Sequence, residues 1–195
     1  MNICLYGASS TAIAKSYIAA TEELGAKLAR RGHSLVFGAG AGGLMGAAAR
    51  GALANGGKII GVVPSFFQVD GLLFKSCDKI IYTDTMRDRK QIMEKLSDAF
   101  VMTPGGPGTL DEFFEILTLK QLGRHSKPIA VFNVNGYFDC IRRFLEDAAE
   151  KQFMTENSLK LCAFFDRADK LLDHLEYYEG ETSELSQMKN ITPGS

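Results

Sequence analysis

"AFVMTPGGPGTLDEFFEILTLKQLG", Ala99 to Gly123, decides the fold. "AFVMTP" (99–104) has the short apolar run of a buried strand. Glycine and proline then break the chain, and "LDEFFEILTLKQLG" (110–123) resumes with helical spacing. Strand, glycine-rich turn and helix form the repeating unit of a parallel sheet.

The same alternation runs outward in both directions. Upstream, strands are expected at 2–7, 33–38, 58–64 and 79–84, with helices over 12–31, 44–57 and 86–97. Residues 65–78 show no clear period and read as a loop with a short helix. Downstream, "PIAVFNV" (128–134) is a sixth strand, followed by a helix at 137–151 and two short helical stretches near 155–161 and 166–177. The fold class expected is α/β: a Rossmann-like, doubly wound parallel sheet flanked by helices on both faces. Residues 1–178 read as a single Rossmann-like nucleotide-binding domain, and the polar stretch 179–195 as a flexible tail.

Composition narrows the function classes. The 195 residues are 46% hydrophobic and 23% charged, as in a soluble globular protein. A net charge of −1 argues against nucleic-acid or membrane-surface binding, and no apolar run is long enough to span a bilayer. "MNICLYG" enters a strand directly and lacks the features of a signal peptide. Cys4, Cys77, Cys140 and Cys162 are scattered, as free thiols in a reducing cytoplasm would be. His33, His125 and His174 have no ligand spacing, so neither a metal nor a cofactor is expected.

Ligands of such sheets sit outside the carboxyl ends of the strands, where three small-residue turns fall. "GAGAGG" (38–43) matches GxGxxG through Gly38, Gly40 and Gly43, but it follows the second strand. No Asp or Glu occurs between Glu23 and Asp70, so the ribose-binding acid of a dinucleotide site is missing. This loop reads as an approach for phosphate or ribose, or as a place of tight packing. In "YGASS" (6–10), Ser9 and Ser10 have two readings, ligand donors or caps of the next helix.

"TPGGPGTLDE" (103–112) is the most specific turn. Gly105, Gly106 and Gly108 let amides converge ahead of a helix N-terminus, whose unpaired N–H groups favour an anion. Thr109 adds a hydroxyl. The same letters also spell a capping box, "TLDE" (109–112), with Thr109 as N-cap and Glu112 closing the first turn. From the residues alone, cap and working carboxylate stand level. Arg87, Arg89 and Lys90 in "TMRDRKQ" (85–91) form a solvated helix face or a clamp for phosphate. Thr118 lies about two and a half turns beyond Thr109, off its face of the helix, and would need a partner element to complete a site.

These residues carry a resemblance. "PGGPGTLDE" (104–112), "GLMG" (43–46), "MRDRK" (86–90), "QLG" (121–123) and "KPIAVFNVNGYFD" (127–139) resemble the LOG (Lonely Guy) family. Its members are cytokinin riboside 5′-monophosphate phosphoribohydrolases, often labelled possible lysine decarboxylases. The similarity covers about residues 2–175. It implies a homodimer with active sites near the interface, and hydrolysis of a nucleoside 5′-monophosphate to free base and ribose 5-phosphate. It further implies Arg89 and Glu112 as the catalytic pair. Lys90, Gly106, Pro107, Gly108, Thr109 and Thr118 would contact substrate, and Ser9 and Gly43 would line the pocket. Departures from the family pattern are Arg87 for its histidine, Pro107 for its aromatic residue and Leu119 for its tryptophan. They bear on the base pocket and bring AMP forward as a substrate. The competing reading is a non-catalytic nucleotide or molybdenum-cofactor carrier.

Overall fold

The chain runs β1 (Asn2–Tyr6), α1 (Lys15–Arg30), β2 (Ser34–Phe37), α2 (Gly43–Ala54), β3 (Ile59–Pro64), β4 (Lys79–Thr83) and α3 (Met86–Leu96). It continues through β5 (Ala99–Met102), α4 (Pro107–Gln121), β6 (Ile129–Phe132), α5 (Asp139–Glu150), β7 (Ala163–Phe165) and α6 (Ala168–Glu176). This computed structural model describes residues 1–67 and 71–180. The expected flexible tail lies, from residue 181 onward, outside the described residues.

All described strand pairs are parallel, in the order β4-β3-β2-β1-β5-β6-β7. Strand residues alternate between two cores. Ile3, Leu5, Leu35, Phe37 and Val101 face α1, α2 and α6, where Leu24, Leu28, Ala48 and Leu172 meet them. Cys4, Tyr6, Val36, Val62, Phe100 and Met102 face the other side, against Met93 of α3 and Phe113, Ile116 and Leu117 of α4. Burying each large side chain contributes about 1.5–3 kcal/mol, so α3 and α4 are rigid supports for what they carry.

The sequence pattern indicates six of the seven strands. It misses β7, whose three residues are too few to show a period of two. Pairing with β6, Val131 opposite Phe164, fixes it instead. The stretch just before it is a 3₁₀ turn, Glu156–Leu161. Among the described residues no helix is long and apolar enough to cross a membrane.

The topology places a crevice. From β1 the chain steps outward through β2, β3 and β4, then returns to the other side of β1 for β5. The loops after β1 and β5 therefore part at a switch point, where open parallel sheets bind ligands. Ala8 N–H donates to Pro104 O at 3.1 Å, and the Thr103 hydroxyl donates to Tyr6 O at 2.9 Å. These bonds hold the two loops together at the base of the crevice.

Candidate active site

The helix after β5 starts at Pro107, with Gly106 as its N-cap. The capping-box expectation fails here. Thr109 is inside the helix, and no side-chain cap bond forms. Proline is favoured at the first helical position because its fixed φ suits the helix and its missing N–H would be unpaired there anyway. The Thr109 side chain instead lies against Gly105, where an added Cβ would meet Oγ1 at 2.1 Å. Starting earlier moves Glu112 onto the second turn, beyond reach of the helix end, and frees its carboxylate for another partner.

That partner is Arg89. Its Nη1 donates to Glu112 Oε1 at 2.7 Å, and its Nε donates to Val62 O at 3.2 Å. Both side chains are about nine-tenths buried. The start of α3 aims the guanidinium. Thr85 caps α3 by accepting from Asp88 N–H at 3.1 Å, and Arg89 and Met93, one turn apart, form its buried face. The second guanidinium nitrogen lies against Gly38, where a Cβ would meet it at 2.0 Å. Burial pushes the Glu112 carboxyl above its ordinary 4.5, while the charge and hydrogen bond of Arg89 act the other way.

The pair stands in the wall of a cavity of about 530 Å³. Five strand ends contribute. Gly7 to Ser10 follow β1, Gly38, Gly40 and Met45 follow β2, and Val63, Pro64, Phe67, Leu72 and Leu73 lie at and after β3. Met86 and Arg89 come from α3, and Gly106 to Thr109 with Asp111 and Glu112 come from the loop and helix after β5. The floor is thus the open N-terminus of α4, a place for an anion. Phe67, Leu72, Leu73 and Met86 make an apolar wall. Leu72 and Leu73 reach it because the chain at Leu72–Phe74 bonds to the loop after β2: Ala41 N–H to Leu72 O at 2.9 Å and Phe74 N–H to Ala39 O at 2.8 Å.

The structure therefore brings Ser9, Arg89, Gly106, Pro107, Gly108, Thr109 and Glu112 around one space. Gly43, Lys90 and Thr118 are not on its wall. Gly43 packs under the loop after β1 at φ +56°, with Ala8 O only 2.3 Å from where a Cβ would stand. Lys90, about 100° around α3 from Arg89, turns towards α4 instead. Its ammonium pairs with Asp111 at 3.0 Å and with Glu115. Asp111 and Glu115 of α4 are thus its partners. Thr118 is exposed on the outer face of α4, beside Leu110, Phe114 and Leu119. Ser9 and Ser10 do not cap α1, whose N-cap is Ala14. Ser10 Oγ accepts from Ala12 N–H at 3.2 Å. Sequence reasoning missed the apolar wall, since Phe67, Leu72 and Leu73 lie in a stretch without a period.

Comparison with known proteins adds the family. A family model described as "possible lysine decarboxylase" matches residues 45–175. A probable cytokinin riboside 5′-monophosphate phosphoribohydrolase of Oryza sativa subsp. japonica is 34% identical over 187 residues, covering 96% of this chain and 76% of the relative. A cytokinin riboside 5′-monophosphate phosphoribohydrolase of Arabidopsis thaliana is 35% identical over 189 residues, covering 96% of this chain and 88% of the relative. Among solved structures, the molybdenum cofactor binding protein of Rippkaea orientalis matches with a TM-score of 0.70 at 21% identity, over 90% of this chain and 94% of that one. The molybdenum cofactor carrier protein of Chlamydomonas reinhardtii matches with a TM-score of 0.70 at 23% identity, over 90% of this chain and 95% of that one. At these identities the structural matches speak for the fold. With the family model spanning most of the chain and relatives above 30% identity along nearly all of it, this protein belongs to the LOG family of phosphoribohydrolases.

Proposed function

We propose that the protein hydrolyses the N-glycosidic bond of a nucleoside 5′-monophosphate, giving free base and ribose 5-phosphate. The observation that carries this reading is the buried Arg89–Glu112 pair, 2.7 Å apart, in the wall of a cavity floored by an open helix N-terminus. The 5′-phosphate sits on the amides of Gly106, Gly108 and Thr109, where the helix dipole and unpaired N–H groups favour it. Binding this remote group fixes the ribose against the carboxylate. As the bond to the base lengthens, positive charge grows on the ribose and Glu112 stabilises it. Glu112 also accepts a proton from the attacking water, whose oxygen bonds to C1′. The base departs with the bonding pair on nitrogen and takes up a proton. Arg89 favours the ionised form of Glu112 against the effect of burial, and its hydrogen bond orients the carboxylate.

The substrates this cavity suits are a cytokinin riboside monophosphate or AMP, with the base against Phe67, Leu72, Leu73 and Met86. The protein acts as a homodimer. The outer face of α4 supports this, because Pro107, Leu110, Phe114 and Leu119 form an apolar strip, flanked by Asp111, Glu115 and Thr118, that ends at the cavity. A second copy seated there would carry Thr118 towards a neighbouring site. A reducing cytoplasmic setting fits the four unpaired thiols.

Lysine decarboxylation does not fit the cleft. Among the described residues no lysine lines it to form a Schiff base, and the Lys90 ammonium is held by Asp111 and Glu115. A carrier that only held its ligand would gain nothing from a buried, charge-paired carboxylate at the ligand site. Incubation with AMP and with isopentenyladenosine monophosphate, followed by separation of the products, tests the reading. Free base and ribose 5-phosphate are expected from at least one. Stoichiometric binding with no base released from either would favour the carrier.

A further inference from the structure

The hydroxyl of Tyr137 donates to Gly105 O at 2.9 Å. Gly105 opens the glycine loop of the candidate site, but Tyr137 is not on the cavity wall. It reaches the loop from behind, out of the turn that follows β6, the neighbour of β5 in the sheet.

This contact has a consequence inside the cavity. Among the described residues no peptide bond is cis. In a trans peptide the carbonyl and the next N–H point in opposite directions. Holding Gly105 C=O outward therefore turns Gly106 N–H the other way, towards the cavity that Gly106 lines. Glycine on both sides leaves that peptide plane free to rotate unless something beyond the loop fixes it. We propose that Tyr137 is a positioning residue that orients the Gly106 amide for the substrate phosphate. The proposal rests on the reading that this loop holds a phosphate.

Tyr137 is 43% exposed and is held from its inner side. The ring of Tyr17 meets it edge-on, with centroids 5.9 Å apart at 78°. Phe138, 1% exposed, anchors the turn in the core beside it. Asn133 clamps the turn from within: Oδ1 accepts from Phe138 N–H at 2.6 Å, and Nδ2 donates to Asp139 Oδ1 at 2.7 Å. Asn135 and Gly136, at φ 53° and 69°, bend the chain tightly enough to present the ring to the loop. The hydroxyl is thus delivered by a rigid turn, as a positioning contact requires.

Tyr137→Phe keeps the ring and its packing and removes only the donor. Calorimetric titration of both proteins with AMP, ribose 5-phosphate and adenosine separates a phosphate effect from a general one. Affinity for the two phosphorylated ligands is expected to fall about five-fold, the scale of one neutral hydrogen bond. Affinity for adenosine stays as in the unaltered protein. Equal weakening of all three ligands would show mere structural support and overturn the proposal, as would no change. An unaltered protein that binds AMP no better than adenosine would overturn it too. Because binding is measured, a protein that binds AMP without cleaving it would remove the hydrolase reading while this comparison still decides the role of Tyr137.

Discussion

In the loop after β2 the glycines are crowded. A Cβ on Gly38 would meet Arg89 at 2.0 Å, and one on Gly43 would meet Ala8 O at 2.3 Å. After β5, Gly105 is crowded by Thr109 in the same way, but Cβ atoms on Gly106, the N-cap of α4, and on Gly108 in its first turn would meet nothing within 4 Å. Both loops edge the same cavity. The first uses glycine to make room for protein, seating a guanidinium and letting the start of α2 pass under the loop after β1. The second uses it to leave room for something that is not protein. A glycine motif therefore says that backbone comes close to a neighbour, and only its surroundings say whether that neighbour is a side chain or a ligand.

Substitutions can break or sharpen this contrast. Gly38→Ala should act through Arg89. A methyl there displaces the guanidinium from Glu112, and base release should fall about 100-fold, the cost of misplacing a catalytic group by about 1 Å. Activity within a few-fold of the unaltered protein would show that Arg89 does not need that space. Gly43→Ala should act on stability instead. A left-handed backbone and a carbonyl at 2.3 Å together should remove about 3 kcal/mol, read by denaturant unfolding. A loss under about 1 kcal/mol would mean that the loop after β1 gives way easily.

The acid side of the pH profile comes next in size. Glu112 must be ionised to work, and burial raises its pKa above the ordinary 4.5. kcat/KM should therefore fall, as pH drops, at a midpoint above 4.5. The stability effect runs the other way. The protonated carboxyl is easier to bury, so its stabilising share is full below the unfolded pKa and lost as pH rises through the folded one. A pH profile of kcat/KM for AMP with its midpoint at or below 4.5 would mean that Arg89 outweighs burial. The smallest effect is on the open side of the contrast. Gly108→Ala, within α4, should raise stability by up to about 1 kcal/mol while weakening AMP binding. A thermal melt and a titration read the two separately, and a destabilised variant would show that the loop is less open than its geometry says.

The sheet was legible because its inner strands are buried on both faces and read as apolar runs between turns. Arg89 and Glu112 were legible through the family resemblance and the shared strand edge, and they do meet. The residues alone left Glu112 undecided, because "TLDE" imitates a capping box. Pro107 is the stronger signal, since a proline suits the first helical position and so places the helix start before Thr109. The apolar wall could not be read, because Leu72 and Leu73 reach the cavity by backbone bonds to the loop after β2, which depend on no side-chain pattern.

The central claim is that Glu112 performs chemistry on a ligand the glycine loop holds by its phosphate. Base release from AMP by Glu112→Gln, alongside AMP titration of the same protein, tests it most directly. The account predicts turnover lowered by about 10²- to 10⁴-fold with AMP affinity within a few-fold of the unaltered protein. Turnover undiminished in Glu112→Gln would contradict it.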